Sequence, residues 1–401
     1  MQTLELTRIR NITLANPTTA TQLPLKHAVH LAYLDGLRGA AAFYVVLFHA
    51  GVGFTSADLP LLARNARRLL TFGHCAVAIF IVLSGYCLML PVARAEGRLN
   101  GGFGRYIGRR AWRILPPYYV ILLASLLLLW AVPVLQTPSG TIWDDTSPAF
   151  EAGPIASHLL LLHNLVPAWA TRINGPLWSV ATEWQIYFFF PLLLLPVWRR
   201  FGALPTVLLA FFVGCAPIWL APLSASRWVP WYLGLFALGM CAAATGFSQR
   251  SAERALLERL PWRLVTSALL VCCLLGMTVF VKVWFRFIPL SDALLGLTTA
   301  ALLVHYTECS RAGVKPWFLR LLESRVLVGL GRFSYSLYLS HLPVVALCYF
   351  ALRPAALSPQ GEFLGMLATS VPASLIVALA FYWLVERHFV GRQAAPAKKP
   401  D

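Results

Sequence analysis

Long apolar runs constrain this chain more than any other feature of its sequence. They lie near residues 33–54, 72–92, 114–135, 155–168, 176–198, 204–223, 228–246, 264–285, 288–306, 333–351 and 363–385. Most of them reach the ~20 residues that a helix needs to cross a bilayer. Only 12% of the residues are charged, whereas soluble domains carry about twice that fraction. Because a lipid-embedded backbone must satisfy its own hydrogen bonds, we predict an all-α polytopic membrane protein.

The charges between the runs predict which side of the membrane each loop faces. Residues 93–113 carry six arginines and residues 136–153 carry acidic residues only, which places the first loop in the cytoplasm and the second outside. The later basic loops are also cytoplasmic only if the short run at 155–168 does not cross. We therefore predict ten spans, with both termini cytoplasmic and 155–168 re-entrant or interfacial. The expected segments are a polar cytoplasmic leader over 1–30, a membrane domain over 31–390 and a cytoplasmic tail over 391–401.

One loop does not fit this topology. Arg64, Arg67 and Arg68 lie between the first two predicted spans, on the side that the other loops assign to the exterior. Orientation follows the bias over all loops, so these arginines do not overturn the prediction.

The overall charge excludes little by itself. Lys plus Arg total 33 against 16 Asp plus Glu, which in a soluble protein would suggest nucleic acid binding. In a membrane protein the cytoplasmic bias and anionic lipid headgroups explain the excess, so we expect a bilayer and no nucleic acid as partner. The eight cysteines form no C-x-x-C pair, and no cluster has metal-ligand spacing, so no metal site is expected.

The first span carries three ionisable residues. Arg38 and His49 are eleven positions apart, which at about 100° per residue places them on one helix face, ~16 Å apart along the axis. Asp35 is three residues before Arg38 and can pair with it. A membrane histidine can simply bond to a neighbouring helix, but ionisable side chains at this depth mark functional sites by default. The shared face favours a functional role for His49.

A carboxylate interrupts the run at 176–198. Glu183 lies roughly 12 Å into that helix, with Ser179 one turn earlier on the same face. This depth is compatible with His49, and a buried carboxylate needs a partner or a proton. A catalytic role and a structural ion pair between helices both remain open for Glu183.

Two further groups have a polar character that suits a ligand. Ser334, Tyr338 and His341 follow an i, i+4, i+7 pattern, and they can bind a polar ligand or join helices. Four arginines precede the third span, where they can contact lipid phosphate or hold a soluble polyphosphate through bidentate contacts. These arginines are Arg105, Arg109, Arg110 and Arg113.

Together these stretches resemble the membrane acyltransferase-3 family, bacterial O-acyltransferases that modify surface polysaccharides and some small molecules. The similar motifs are LDGLRG with Arg38 and His49, FIVLSGY ending at Tyr86, RRAWRILP at 109–116, LWSVATE with Trp178 and Glu183, and SYSLYLSH ending at His341. The resemblance runs from about Tyr33 to Phe389 and implies ten spans in the bacterial inner membrane.

The resemblance also implies an acyl-CoA donor, usually acetyl-CoA, and a hydroxyl acceptor such as a glycan. The four arginines would then hold the CoA phosphates, and His49, Glu183 and Arg38 would be the catalytic residues. His49 would act as general base or form an acyl-histidine intermediate. The acceptor or the oxyanion would be held by Ser334, Tyr338, His341, Asp35 and Trp178.

Two other functions stay open from the residues alone. A secondary transporter or flippase could use Asp35, Arg38, His49 and Glu183 as a polar pathway, although no repeat relates the two halves of the chain. A non-catalytic partner in polysaccharide assembly is the third possibility. Mutation of His49 would separate an enzyme from such a partner.

Overall fold

The computed structural model describes residues 31–55, 59–220 and 229–390. Within these ranges the regular structure is helical and contains no strand, which confirms the all-α prediction. The predicted leader over 1–30 and tail over 391–401 lie outside the described residues.

The helices follow one another with short connections. The first half of the chain contains α1 (Ala32–Phe48) with a π-helical turn (His49–Gly53), α2 (Leu61–Leu70), α3 (Gly73–Arg94), α4 (Gly102–Ala131), α5 (Ala152–Leu159), α6 (Leu177–Phe189) with a π-helical turn (Phe190–Leu194), and α7 (Leu195–Phe201). The second half contains α8 (Ala203–Leu220), α9 (Tyr232–Phe247), α10 (Ser251–Arg259), α11 (Trp262–Thr278), α12 (Val281–Arg286), α13 (Ile288–Arg311), α14 (Trp317–Leu322), α15 (Arg325–Arg332), α16 (Ser334–Leu352) and α17 (Pro359–Leu384).

Seven helical segments are long and apolar enough to cross a membrane, and α10 with α11 would make eight if this pair, bent by 75°, is one span. The helices at Ala203–Ile218 and Tyr232–Phe247 are apolar but shorter. Each of the ten predicted crossings therefore coincides with a helix of the described chain, while length and composition support seven or eight spans rather than ten. The chain is a multi-pass membrane protein.

The run at 155–168 forms only short helices. It contains α5 and a 3-10 turn at His163–Leu165. An eight-residue helix is about 12 Å long, too short to cross a bilayer. This agrees with the predicted short non-spanning segment.

Glycines bring α1 against the chain around α15. A Cβ atom on Gly36 would lie 1.7 Å from the Leu322 carbonyl oxygen, and one on Gly39 would lie 2.3 Å from that of Leu327. Both distances are impossible for a real side chain, so the glycines of the LDGLRG motif are needed for helix packing. This packing fixes the position of α1, which carries Arg38.

Candidate active site

Two histidines from distant parts of the chain are in direct contact. His49 begins the π-helical turn that follows α1, and such turns are frequent at functional sites. The Nε2 atom of His341, on α16, lies 3.2 Å from the Nδ1 atom of His49. His341 is fully buried, so its ring orientation is set by the surrounding protein.

The hydrogen bonds of this pair assign its tautomers. His341 Nδ1 lies 3.0 Å and 2.8 Å from the carbonyl oxygens of Leu337 and Tyr338. Carbonyl oxygens only accept, so this nitrogen carries the proton of the neutral ring and Nε2 is an acceptor. His49 Nδ1 faces that acceptor and also the Val45 carbonyl oxygen at 2.9 Å, so it must donate. The Nε2 atom of His49 is therefore left with a lone pair that can accept a proton.

A side chain from another segment supports the helix that carries His341. Pro343 lies within α16 and has no N–H, so the Leu339 carbonyl oxygen loses its usual partner four residues later. The side-chain amide of Asn174 donates to that oxygen at 3.0 Å, and also to Ser125 Oγ at 3.2 Å. The sequence analysis did not identify Asn174; the proline in α16 signals an unpartnered carbonyl but not which residue reaches it.

The start of α16 is held by a residue near the end of the described chain. Glu386 follows α17 and is 2% exposed. Its carboxylate accepts hydrogen bonds from the Ser336 N–H at 3.0 Å and the Ser336 hydroxyl at 2.5 Å. Because Ser336 lies in the first turn of α16, this contact satisfies a backbone donor that the helix itself cannot satisfy.

A cavity of about 640 Å³ connects the predicted arginines with the neighbourhood of the histidines. Its arginine end is lined by Arg98, Asn100, Arg109, Arg110 and Arg113, and its histidine end by Val77, Phe80, Ile81, Ser179, Ser334 and Tyr338. Between the two ends it is lined by Arg38, Ser84, Cys87, Glu183, Tyr187 and Tyr335. The volume is in the range of sites that bind small molecules and cofactors.

The histidine end of the cavity stops one side chain short of the histidine pair. The Tyr338 ring centroid is 6.0 Å from that of His341 and 5.8 Å from that of Phe80. The Tyr338 hydroxyl lies 2.6 Å from Ser179 Oγ, which itself donates to the Pro176 carbonyl. The Tyr338 hydroxyl is therefore the donor to Ser179. Ser334 donates to the Gly331 carbonyl oxygen at 2.9 Å.

The structure brings most of the predicted site residues to this cavity. Arg38, Glu183, Ser334, Tyr338 and three of the four arginines line it. Arg105 is exposed and is not among the described residues that line it. Asp35 and Trp178 also lie outside its lining: Asp35 is 3.5 Å from Arg38, and the Trp178 ring centroid is 6.1 Å from that of Tyr232.

Glu183 has a partner other than the histidine that the sequence suggested. The Tyr187 hydroxyl donates to Glu183 at 2.6 Å, and Ser84 Oγ lies 3.1 Å from the same hydroxyl. Glu183 also interacts electrostatically with Arg38, whose guanidinium donates to the Cys87 sulfur at 3.2 Å. Glu183 therefore belongs to the middle of the cavity, and His341 occupies the position beside His49.

The donor atoms of the site are those of an organic ligand site. Among the residues that the structure describes, no group of three or more His, Cys, Asp or Glu side chains could hold a metal ion. The arrangement instead offers guanidinium groups for an anion at one end, hydroxyls and a carboxylate along the middle, and an imidazole base near the other end.

The comparisons with known proteins agree with one another. A family model described as "Acyltransferase domain" matches residues 31–385. "Acyltransferase MdmB" of Streptomyces mycarofaciens is 27% identical, over 93% of this chain and 96% of that protein. "Putative peptidoglycan O-acetyltransferase YrhL" of Bacillus subtilis (strain 168) is 26% identical, over 80% of this chain and 50% of that protein. No solved structure matches the chain.

Proposed function

The chain belongs to the acyltransferase-3 family of O-acyltransferases, and on that premise we propose that it transfers an acetyl group from acetyl-CoA to a hydroxyl of a glycan or other hydroxylated acceptor. The family match confirms the resemblance drawn from the motifs. The observation that supports this donor and acceptor is the cavity, which is lined by arginines at one end and ends at Tyr338, beside the histidine pair, at the other.

The arginine end is suited to the phosphates of CoA. Arg109, Arg110 and Arg113 line it together, and planar guanidinium groups bind phosphate oxygens through two hydrogen bonds at once. The Nε atom of Arg110 is buried without a hydrogen-bond partner among the described residues, which leaves a donor for a ligand. Acyl-CoA is made in the cytoplasm, so we assign the arginine end to the cytoplasmic side of the bacterial inner membrane, with both termini on that side.

The middle of the cavity is suited to the pantetheine arm. Arg38 lies about 16 Å below His49 along α1, a span that an extended arm can bridge. The Glu183 carboxylate and the Tyr187 hydroxyl offer hydrogen bonds to its amide groups. We therefore assign Arg38 and Glu183 to donor positioning, in contrast to the contact between Glu183 and His49 that the sequence suggested.

His49 performs the proton transfer in this proposal. Its Nε2 atom takes the proton of the acceptor hydroxyl as the oxygen attacks the thioester carbon. His341 accepts a hydrogen bond from His49 Nδ1 and so stabilises the imidazolium that forms. The Tyr338 hydroxyl donates to the developing oxyanion. The C–S bond then breaks, and the CoA thiolate takes the proton from His49 Nε2, so that the products are an acetyl ester and free CoA.

The competing mechanism has the same residues in a different order. His49 Nε2 would first attack the thioester, release CoA and carry the acetyl group to the acceptor. Acid quench of the protein with radiolabelled acetyl-CoA and no acceptor separates the two mechanisms. Only the second predicts label bound to His49.

The donor assignment is tested with the purified protein. We expect CoA to raise its melting temperature in detergent, and vesicles with their own glycans to incorporate radiolabel from acetyl-CoA. A transporter of unrelated solutes would show neither effect. Stabilisation without incorporation would retain the donor and exclude the acceptors in those vesicles. Absence of both would contradict the proposal.

A further inference from the structure

Helix α2 has two exposed sides of opposite character. At about 100° per residue, Leu62 and Leu69 lie on one side, whereas Arg64, Arg67 and Arg68 lie on the other. The two leucines are 84% and 72% exposed, which in water would be unfavourable for two large apolar side chains so close together. These exposures suit a helix with lipid on one side and lipid phosphate on the other.

The face between these two sides packs on the protein. Ala63 forms a cluster with Leu59 and Phe363, and Leu70 packs against the same cluster. This contact fixes the rotation of α2 about its axis. The leucine side and the arginine side therefore both point away from the helix bundle.

The arginines lie near the depth of lipid headgroups. Helices α2 and α3 together form one helical segment, Leu61–Arg94. The 22 residues of α3 are about 33 Å long, enough for the ~30 Å hydrocarbon core. Arg68 and Arg67 precede Gly73 by five and six residues, which places them about 8–9 Å further out, close to the outer limit of a headgroup layer.

The positive charge of this helix is available to an external anion. In the part of the chain that the structure describes, the ion pairs join other residues, and none includes an arginine of α2. Arg64 and Arg68 are exposed. The Nε atom of Arg67 is buried and has no hydrogen-bond partner among the described residues.

Helix α2 contacts the turn that carries His49. Arg67 donates to the Val52 carbonyl oxygen at 3.4 Å. The Tyr44 hydroxyl donates to the Leu69 carbonyl oxygen at 2.5 Å. Gly51 faces Leu70 so closely that an added Cβ atom would lie 2.7 Å from the leucine Cδ1. A ligand that fixes α2 would thereby also fix the turn His49–Gly53.

We propose that α2 binds the phosphate of anionic phospholipid headgroups and that this lipid holds the turn His49–Gly53 in place. The binding step is independent of the proposed function, whereas the effect on transfer rests on it. The three arginines in the loop that the charge pattern assigned to the exterior then have a specific partner at the same end of the bundle as His49.

Binding is tested by native mass spectrometry of the purified protein with phosphatidylglycerol or phosphatidylcholine. We expect Arg64→Gln with Arg68→Gln to lower retention of phosphatidylglycerol by about fivefold per arginine, while retention of phosphatidylcholine is unchanged. The matched control is Arg254→Gln with Arg259→Gln, two exposed arginines of α10, which should retain phosphatidylglycerol like the wild type. Equal retention by all three proteins would overturn the proposal, as would displacement of the lipid by millimolar inorganic phosphate.

The link to the turn is tested in vesicles of phosphatidylcholine with and without phosphatidylglycerol. We expect the anionic lipid to slow hydrogen exchange of residues 49–55 in the wild type and in the α10 control, but not in the α2 variant. Acetyl transfer should follow the same order. Unchanged exchange in the wild type would refute the link, and slower exchange without transfer would instead contradict the proposed function. Equal melting temperatures would show that both variants fold.

Discussion

The Nε2 atom of His341 lies 3.2 Å from the Nδ1 atom of His49, so two residues 292 positions apart form one hydrogen-bonded unit. Because the Nδ1 atom of His341 is committed to two carbonyl oxygens, the pair holds His49 in the tautomer whose Nε2 atom is free. This relationship makes His341 a positioning residue and His49 the base.

The role of His341 predicts a specific kinetic pattern. His341→Ala should lower kcat for acetyl transfer by about 10- to 100-fold, less than general base catalysis supplies as a whole. KM for acetyl-CoA should stay unchanged, since His341 is not among the described residues that line the cavity. His341→Gln should recover part of the rate, because its amide oxygen can accept the hydrogen bond from His49. A raised KM, or no recovery with glutamine, would contradict the positioning role.

The arginine end predicts a change in donor affinity. Arg109→Gln, Arg110→Gln or Arg113→Gln should each weaken CoA binding by about tenfold, because a charge-assisted hydrogen bond contributes about 1.5–3 kcal/mol and partial exposure reduces it. Isothermal titration with CoA measures this change. Arg105→Gln is the matched control, since Arg105 is exposed and does not line the cavity. Equal weakening in all four variants would indicate a general effect of surface charge.

The histidine end predicts which acyl chains are accepted. Phe80 lines it, stacks edge-on against Tyr338 and packs on Ala42 and Val46, so its ring limits the space beyond the thioester. Phe80→Ala should raise transfer from butyryl-CoA relative to acetyl-CoA by about tenfold, the scale of one or two methylene groups in an apolar pocket.

Competition between the two donors, read by mass spectrometry of the products, measures the Phe80 effect. Leu88→Ala is the control, because Leu88 lines the same cavity about two turns nearer the arginine end. If both variants shifted the ratio equally, the cavity would lack a distinct acyl pocket.

The contact between Asn174 and the Leu339 carbonyl predicts a double-mutant cycle. Asn174→Ala should destabilise the protein by about 1–3 kcal/mol, because it leaves a buried carbonyl oxygen without a donor. Pro343→Ala restores the N–H of that residue, so the same Asn174→Ala change should cost less in that background. Thermal unfolding in detergent measures all four proteins. Additive effects would show that Asn174 does not compensate for the proline.

Local pattern was sufficient for part of this site. The spacing of Arg38 and His49 on one helix, together with the arginines before the third span, predicted both ends of a ligand path from helix geometry alone. Depth along a helix can be counted from sequence, which is why Glu183 was correctly judged to face a polar interior. Its partner could not be counted in this way, because Tyr187 and Arg38 reach it from directions that depend on helix packing.

Contacts between helices explain what the sequence did not predict. His341 shows a polar stripe on α16, but its approach to His49 depends on the π-helical turn after Phe48 and on the support of α16 by Asn174 and Glu386. The span count shows the same limit. Helices α8 and α9 are apolar enough but short, so hydropathy and charge predict their existence better than their extent.

The most direct test of the account compares binding and chemistry in one variant. His49→Ala should bind acetyl-CoA with the affinity of the wild type, because His49 is not among the described residues that line the cavity. Its transfer of radiolabelled acetyl to the glycans of membrane vesicles should fall by about 10²–10⁴-fold. Transfer within a fewfold of the wild type, at equal expression and equal CoA affinity, would contradict the assignment of His49 as the catalytic base.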